Sequence, residues 1–304
     1  MLPVSETILD QYQVRKTRQQ KTAFIDFLRR TCPELKVEED GLLKSRNLIL
    51  GDPETARVLL TAHYDTCTVL PVPNFLAPRN LLLTVLYSLL FCVPLLLVMA
   101  AAEAALLWLT DSFLLSYWVS CGVLIGLIVW AFFLGRPNRH TVNDNTSGVI
   151  TLLELWEGLT PAQREKAAFV FFDHEEVGLV GSGCYRKRHK AAIQNQLVLN
   201  FDCVSDGDHL LLVQSKKARQ RWERQLAAAF RSDARLTLHM ASAATTLYPS
   251  DQVGFPQGVG VAAMKHRPLV GLYLDRIHTR RDTVMRRENI EFLVEATGRF
   301  LDTV

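Results

Sequence analysis

Arg57-Val-Leu-Leu-Thr-Ala-His63-Tyr-Asp65 is an apolar run that closes on a histidine and an acid. The turn signal Gly51-Asp52-Pro53 bounds it upstream, so it reads as a short buried strand. His63 and Asp65 stand two apart and therefore point to the same side of an extended chain. Working outward, residues 46–50, 167–172, 196–201, 209–213, 260–264 and 270–274 form similar runs and predict further strands. Helical spacing separates them. It runs through Val149, Leu152, Leu153, Leu155 and Trp156 in 147–159, and recurs over 182–193, 218–230 and 288–301. Ile8, Tyr12, Phe24, Phe27 and Leu28, with Pro33 just beyond, predict one helix over 5–31. Strands alternating with helices give an α/β class, a mixed central sheet sandwiched between helices. In such sheets ligands collect at the carboxyl ends of strands. His63 and Asp65 end one strand, Glu175 and Glu176 a second, and Asp202 a third.

Between His63 and Asp144 the pattern is interrupted. Residues 80–102 and 112–135 carry no charge and are dominated by Leu, Val, Ala and Ile. Each run exceeds the roughly 20 residues needed to cross a hydrocarbon core as a helix. Pro94 would kink the first without forbidding it. The link holds Glu103, Trp108, Thr110 and Asp111, so the pair is expected to form a helical hairpin with a small loop, anchored in a lipid bilayer through 80–135. The expected organisation is one main domain built from 1–76 and 137–304 around a transmembrane hairpin at 77–136. Arg79, Arg136 and Arg139 flank the spans while the loop is acidic, which by the positive-inside rule puts both ends, and the main domain, on the cytoplasmic side of the cell membrane. A buried helical arm in a soluble protein is the plainer alternative.

The remaining composition narrows the class. At 304 residues the chain suffices for one large domain with an accessory element, and the 49% hydrophobic content is concentrated in the two spans. A net charge of +3, without a basic block interleaved with aromatics, argues against nucleic acid as a partner. Arg15, Lys16, Arg18 and Lys21 read as a solvated helix face, with a membrane-surface patch as the sharper alternative. The six cysteines show no paired spacing, the usage of a reducing compartment. No cleavable signal sequence is expected from the first residues.

The chemistry lies in the acids and histidines. Zn²⁺ accepts imidazole nitrogen and carboxylate oxygen, and two metals can share one carboxylate. Each motif alone has an ordinary explanation: a structural His-x-Asp, a solvated Glu-Glu pair, an Asn-Asp-Asn turn or cap. Coincidence does not account for all of them at strand ends. In order, the chain shows His63-x-Asp65, Asn143-Asp-Asn-x-Ser-Gly148, Glu175-Glu-Val-Gly-Leu-x-Gly-Ser182, Asp202 after an apolar strand, and Ile277-His-Thr-x-x-Asp-Thr283. This set resembles the M28 family of co-catalytic zinc aminopeptidases and covers most of the chain outside the hairpin.

The resemblance implies removal of N-terminal residues from peptide substrates with two Zn²⁺ per chain, cobalt or manganese being able to take the same ligands. It implies Asp144 as the bridging ligand, His63 and Asp202 at one metal, and Glu176 and His278 at the other. Glu175 would be the general base acting on the attacking water. Asp65 would orient the His63 imidazole. Asp282 reads as a turn or cap residue, His174 as a residue behind the site or on the surface, and His140 as exposed. Cys67 and Cys203 read as small buried hydrophobes. Two features depart from the pattern. Ser250-Asp251-Gln252 stands where many relatives carry Ser-Asp-His, at a position that shapes the substrate cleft. The hairpin enters where the related M42 enzymes insert a domain, although the His-Thr-x-x-Asp-Thr ending favours M28. The competing readings are a glutaminyl-cyclase-like single-zinc enzyme, against which His63 argues, and a catalytically silent membrane scaffold.

Overall fold

A computed structural model describes residues 1–70 and 74–304. Its strands are β1 (Lys36–Asp40), β2 (Ser45–Leu50), β3 (Val58–His63), β4 (Ala167–Phe172), β5 (Leu197–Phe201), β6 (His209–Gln214), β7 (Thr237–Ser242), β8 (Gly258–Arg267) and β9 (Gly271–Tyr273). They form one sheet in the order β1-β2-β4-β3-β5-β8-β6-β7, with β9 paired to β8. The centre, β4-β3-β5-β8, is parallel, and antiparallel pairs occur on both sides of it. The expected mixed α/β class is the class found.

Every residue of β3 and β4 is buried, as parallel strands covered on both faces require. Alternation divides β4 between two cores. Ala167, Phe169 and Phe171 face a large cluster with Phe24, Leu28, Leu152, Leu155, Phe292 and Phe300. Ala168, Val170 and Phe172 face a smaller one with Tyr185, Ile193 and Phe255. The first is covered by helices α1 (Pro3–Gln11), α2 (Arg18–Thr31), α5 (Ser147–Gly158), α8 (Lys216–Ala229) and α9 (Arg287–Leu301); the second is covered in part by α7 (Val180–Arg188). A single turn, α6 (Pro161–Arg164), leads into β4.

The structure corrects several expectations. The helix over 5–31 is two helices. Thr17 and Gln20 form a reciprocal capping box that starts α2 afresh, and this Thr-x-x-Gln signal is present in the sequence. Strand β1 was hidden by its charge: Lys36-Val-Glu-Glu-Asp40 pairs antiparallel with β2 from Lys36↔Ile49 to Asp40↔Ser45, and charged side chains suit an exposed edge. Strand β7 escapes notice for a related reason, being only partly buried at the opposite edge. Helix α7 stops at Arg188 rather than 193.

The apolar insertion folds as α3 (Leu81–Thr110) and α4 (Phe113–Val129), the latter continued by a π-helical turn over Trp130–Leu134. The first helix runs past Ala102 to Thr110, so Glu103 lies within it. The connection shrinks to Asp111, in a left-handed conformation, and Ser112. Helix α3 is long and apolar enough to cross a membrane; α4, at 17 residues, is shorter. Leu82, Leu90, Leu97, Trp108, Leu114 and Trp118 are exposed along the pair. Its two roots meet. Thr68 and Pro137 form an antiparallel bridge, and the Val69 N–H donates to the Arg136 carbonyl at 3.0 Å.

Candidate metal centre

The parallel strands deliver their C-terminal residues to one place. β3 ends on His63, the segment after β4 carries Glu175 and Glu176, and β5 leads into Asp202. Asp144 arrives on the loop before α5, and His278 on the loop after β9. The central observation concerns the two oxygens of Asp144. Its Oδ1 lies 3.3 Å from His63 Nε2, and its Oδ2 lies 3.0 Å from His278 Nε2. Asp202 Oδ1 approaches His63 Nε2 at 3.6 Å, and Glu176 Oε2 approaches His278 Nε2 at 3.4 Å. The donor atoms of His63, Asp144 and Asp202 form one compact group. Those of Cys67, Glu176 and His278 form another, and His63, Glu175 and Glu176 a third.

The loop that carries Asp144 is tied down by its own polar residues. Asn143 Oδ1 accepts from the Ser205 and Asp206 N–H groups at 2.8 and 2.9 Å. Asn145 donates to the Phe201 carbonyl at 2.9 Å and accepts from the Gly148 N–H at 3.0 Å. The Asn-Asp-Asn run therefore stitches the loop to the end of β5. Gly148 is required by the close approach, because a Cβ there would stand 2.3 Å from the Phe201 carbonyl oxygen. Asp282, read as a turn or cap residue, accepts from the Asn143 N–H at 2.7 Å and the Asp144 N–H at 3.0 Å.

Asp65 does more than face His63. Its Oδ1 lies 3.6 Å from His63 Nδ1, whose closer neighbour is the Asp65 carbonyl oxygen at 3.1 Å. The carboxylate also accepts from the Glu175 N–H at 3.0 Å and the Glu176 N–H at 3.2 Å, joining the ends of β3 and β4. His174 turns away, its Nδ1 2.8 Å from Ser45 Oγ, and takes a left-handed conformation with Cys203 and His278. Such conformations are costly for non-glycine residues and gather at functional sites. His140 is exposed, and Cys67 and Cys203 are buried.

The basic N-terminal residues overturn the expectation of a solvated face. Arg15 is fully buried and Lys21 nearly so. Arg15 Nε donates to the Tyr64 carbonyl at 2.5 Å, and the guanidinium reaches Thr146 Oγ1 at 3.1 Å and the Tyr12 carbonyl. Lys21 Nζ pairs with Asp173 at 2.5 Å, and Lys16 Nζ donates to Thr68 Oγ1 at 2.7 Å. Only Arg18, ion-paired at 3.2 Å with Glu39, is on the surface. A single helix over 5–31 places these residues on a solvated face; the Thr17–Gln20 capping box is the signal that breaks it.

Burial and charge act together on the titrating groups. Burial lowers the Arg15 guanidinium to about 10, Asp65 and Asp144 opposing the fall. Burial alone would raise the Asp144 carboxyl, but hydrogen bonds from His278 and His63 hold it well below the usual range. Burial opposes charge on His278, yet Glu176 and Asp144 outweigh it and lift the imidazolium to about 10. His63 is likewise raised, burial being outweighed by Glu175, Asp144, Asp202 and Asp65. Burial pushes Glu176 up to about 8 and Glu175 well above its ordinary value, with Glu176, Asp251 and Asp202 adding to the latter. The carboxylates around them thus bias both imidazoles toward the protonated form.

A model of peptidase family M28 matches residues 129–296, more than half of the chain. The chain belongs to peptidase family M28. The match includes Asp144, Glu175, Glu176, Asp202 and His278 and begins inside the hairpin, so His63 and Asp65 lie outside it. No curated protein sequence matches the chain. Among solved structures, the Legionella pneumophila LapA aminopeptidase aligns with a TM-score of 0.57 at 12% identity, over 98% of this chain and 67% of LapA. BSAP, a zinc aminopeptidase from Bacillus subtilis, aligns with a TM-score of 0.47 at 17% identity, over 85% of this chain and half of BSAP. The Pyrococcus horikoshii TET1 peptidase gives 0.47 at 13% identity, over 97% and 98%. The LapA likeness establishes a common fold. As the M28 sequence motifs implied, the enzyme class of the family is that of a peptidase.

Proposed function

We propose that this M28 chain is a membrane-anchored dizinc aminopeptidase. The observation that carries the reading is Asp144, each of whose oxygens faces a different imidazole. The donor set suits the ion. Imidazole and carboxylate are zinc ligands, and Glu176 Oε1 is buried without a hydrogen-bond partner among the described residues, as an atom reserved for a cation would be. His63, Asp144 and Asp202 would hold one ion, and Asp144, Glu176 and His278 the other. When bound, the ions supply Lewis-acid polarisation of the scissile carbonyl and lower the pKa of water at the site.

The chain's own residues do the rest. Glu175 takes a proton from the attacking water as its oxygen bonds to the carbonyl carbon, then returns that proton to the leaving amine nitrogen as the C–N bond breaks. Burial keeps its proton affinity high, which suits a group that must accept and release a proton in one cycle. Asp65 holds the Glu175 and Glu176 backbone against His63, so the base and a ligand are positioned by one carboxylate. LapA, an aminopeptidase, shares this fold, which supports N-terminal rather than internal cleavage.

Residues 1–76 and 137–304 make the catalytic domain in this reading, and 77–136 its membrane hairpin. The π-helical turn extends the second apolar helix from Phe113 to Leu134, about 33 Å at 1.5 Å per residue, which supports a second span. Arginines at both roots and an acidic loop support a cytoplasmic catalytic domain.

A panel of aminoacyl-anilides, run with and without chelator on the full chain in detergent, tests the activity and its side-chain preference together. Two ions per chain and chelator-sensitive hydrolysis are expected. Glu175→Gln should lower kcat by about 10²–10⁴-fold with both ions retained. One ion per chain with cyclisation of N-terminal glutamine would replace this reading by the cyclase one, and full activity in Glu175→Gln would remove the assigned base.

A further inference from the structure

We propose that two adjoining cavities at the root of the hairpin form a binding site for the phosphate headgroup of an anionic phospholipid. The proposal rests on the membrane reading above. The first cavity, about 650 Å³, is walled by Trp130 and Ala131 of the hairpin and by Arg136, Thr279, Arg280 and Arg281 of the domain. The second, about 620 Å³, shares Arg136 and Arg280 and adds Arg139 and His140. Four arginines therefore line the two cavities where the apolar helices enter the domain.

Among the described residues, none of these arginines is ion-paired. Arg136, Arg139 and Arg280 have no side-chain hydrogen bond and no carboxylate partner among the described residues, and Arg281 spends one donor on the Asp275 carbonyl at 2.7 Å. Other arginines of the chain are held by carboxylates, Arg18 by Glu39, Arg235 by Asp233 and Glu295, and Arg287 by Glu6. An unpaired group of planar, bidentate donors is a site for a phosphate oxyanion.

The surroundings commit that phosphate to a lipid. One wall of the first cavity is the hairpin itself, whose run from Ser112 to Gly135 is uncharged, so an acyl chain could continue from the headgroup along its apolar surface. Trp130 stands at the junction, the level at which tryptophan collects in membrane interfaces. At the other root, Leu269 is 101% exposed on the β8–β9 turn, with its carbonyl and that of Val270 each 3.4 Å from Asn80 Nδ2. Arg79 and Arg267 lie beside that turn. A fully exposed leucine flanked by two arginines at the root of the apolar helix fits the level of the headgroups. Basic pockets of this kind, beside spans on the cytoplasmic side, take anionic headgroups.

The site also adjoins the metal centre. Thr279, Arg280 and Arg281 directly follow His278, and the Leu70 N–H donates to the His278 carbonyl at 2.9 Å. A headgroup held by Arg280 would fix the segment between the bilayer and a proposed ligand.

The test uses the full chain in neutral detergent and native mass spectrometry with dioctanoyl phosphatidylserine, dioctanoyl phosphatidylcholine or inorganic phosphate. Phosphatidylserine should be retained at least about tenfold more tightly than either alternative, a factor equal to one decade in Kd. Arg136→Gln/Arg280→Gln should abolish the preference, while Arg29→Gln/Arg30→Gln, at exposed positions lining neither cavity, should keep it. Equal retention of both lipids, a preference that survives the first double variant, or phosphate binding as tightly as the lipid would overturn the proposal. So would unchanged lipid binding in that variant combined with a raised KM for peptides bearing a free carboxyl terminus but not for amidated ones, which would assign the arginines to substrate. Alkaline carbonate extraction separates the two readings. Release of the chain from membranes removes the anchor and this site with it; retention without phosphatidylserine preference removes only the headgroup site.

Discussion

Asp282 accepts hydrogen bonds from two consecutive backbone N–H groups, those of Asn143 and Asp144, and so fixes the loop that presents the proposed bridging carboxylate. Burial and the neighbouring Asp144 push the Asp282 carboxyl up to about 8, with the two backbone donors opposing. Replacing it by alanine would leave both donors unsatisfied, at roughly 1–3 kcal/mol each. Asp282→Ala should therefore lower stability in urea and weaken metal affinity by about 10–100-fold; unchanged affinity would show that the loop holds itself. A pH dependence follows from the histidines. His63 and His278 both hold their protons above the usual imidazole range, and an ion taking their Nε2 atoms must displace those protons. The proton-bound form gains as pH falls. Apparent zinc affinity should thus drop by roughly tenfold per pH unit for each proton displaced, which competition with a fluorescent zinc chelator between about pH 8 and pH 6 would read. Affinity independent of pH over that range would contradict the assignment of both imidazoles as ligands.

At the scale of elements, α2 is joined to the end of β4 by the buried Lys21–Asp173 pair. Asp173 also accepts from the Arg46 N–H at 3.0 Å and the His174 N–H at 2.9 Å, so the carboxylate is shared among α2, β2 and the segment leading to Glu175. Removing only the lysine leaves a buried charge. Lys21→Met is expected to cost about 3–5 kcal/mol, measured by denaturant unfolding. A loss below about 1 kcal/mol would be the size of a surface pair and would mean that the backbone donors alone satisfy Asp173. Elements also mark where reading from sequence fails. The central strands were legible because burial on both faces writes a continuous apolar run, as in Ala167–Phe172. β1 and β7 were not, because an edge strand is defined by backbone pairing that its side chains need not record. The turn at Arg15 and Lys16 was hidden for a different reason: a basic residue facing inward carries the same letter as one facing water.

For the whole molecule, the described residues join the hairpin to the catalytic domain at its root, where Thr68 pairs with Pro137 and Asn80 caps α3. The large core of the domain contains no hairpin residue. Replacing residues 81–134 by a flexible glycine-serine linker should therefore release the chain into the soluble fraction while preserving its metal content and anilide hydrolysis. Loss of metal on that replacement would make the hairpin part of the site rather than its tether.

By itself, the sequence determined the α/β class, the position of the apolar insertion and the acids and histidines worth testing. Each of these is written in local pattern: strand-length apolar runs, uncharged spans, and side chains at strand ends. Only the tertiary structure decided that Asp144 turns one oxygen to His63 and the other to His278, that Asp282 and Asp65 hold the backbone on either side, and that Arg15 and Lys21 face inward. It also brought Arg136 and Arg280, distant in sequence, to one cavity. The reason is physical. Strand and helix signals arise from neighbours along the chain, whereas the direction of a charge and the partner of a carboxylate are set by packing between segments far apart in sequence.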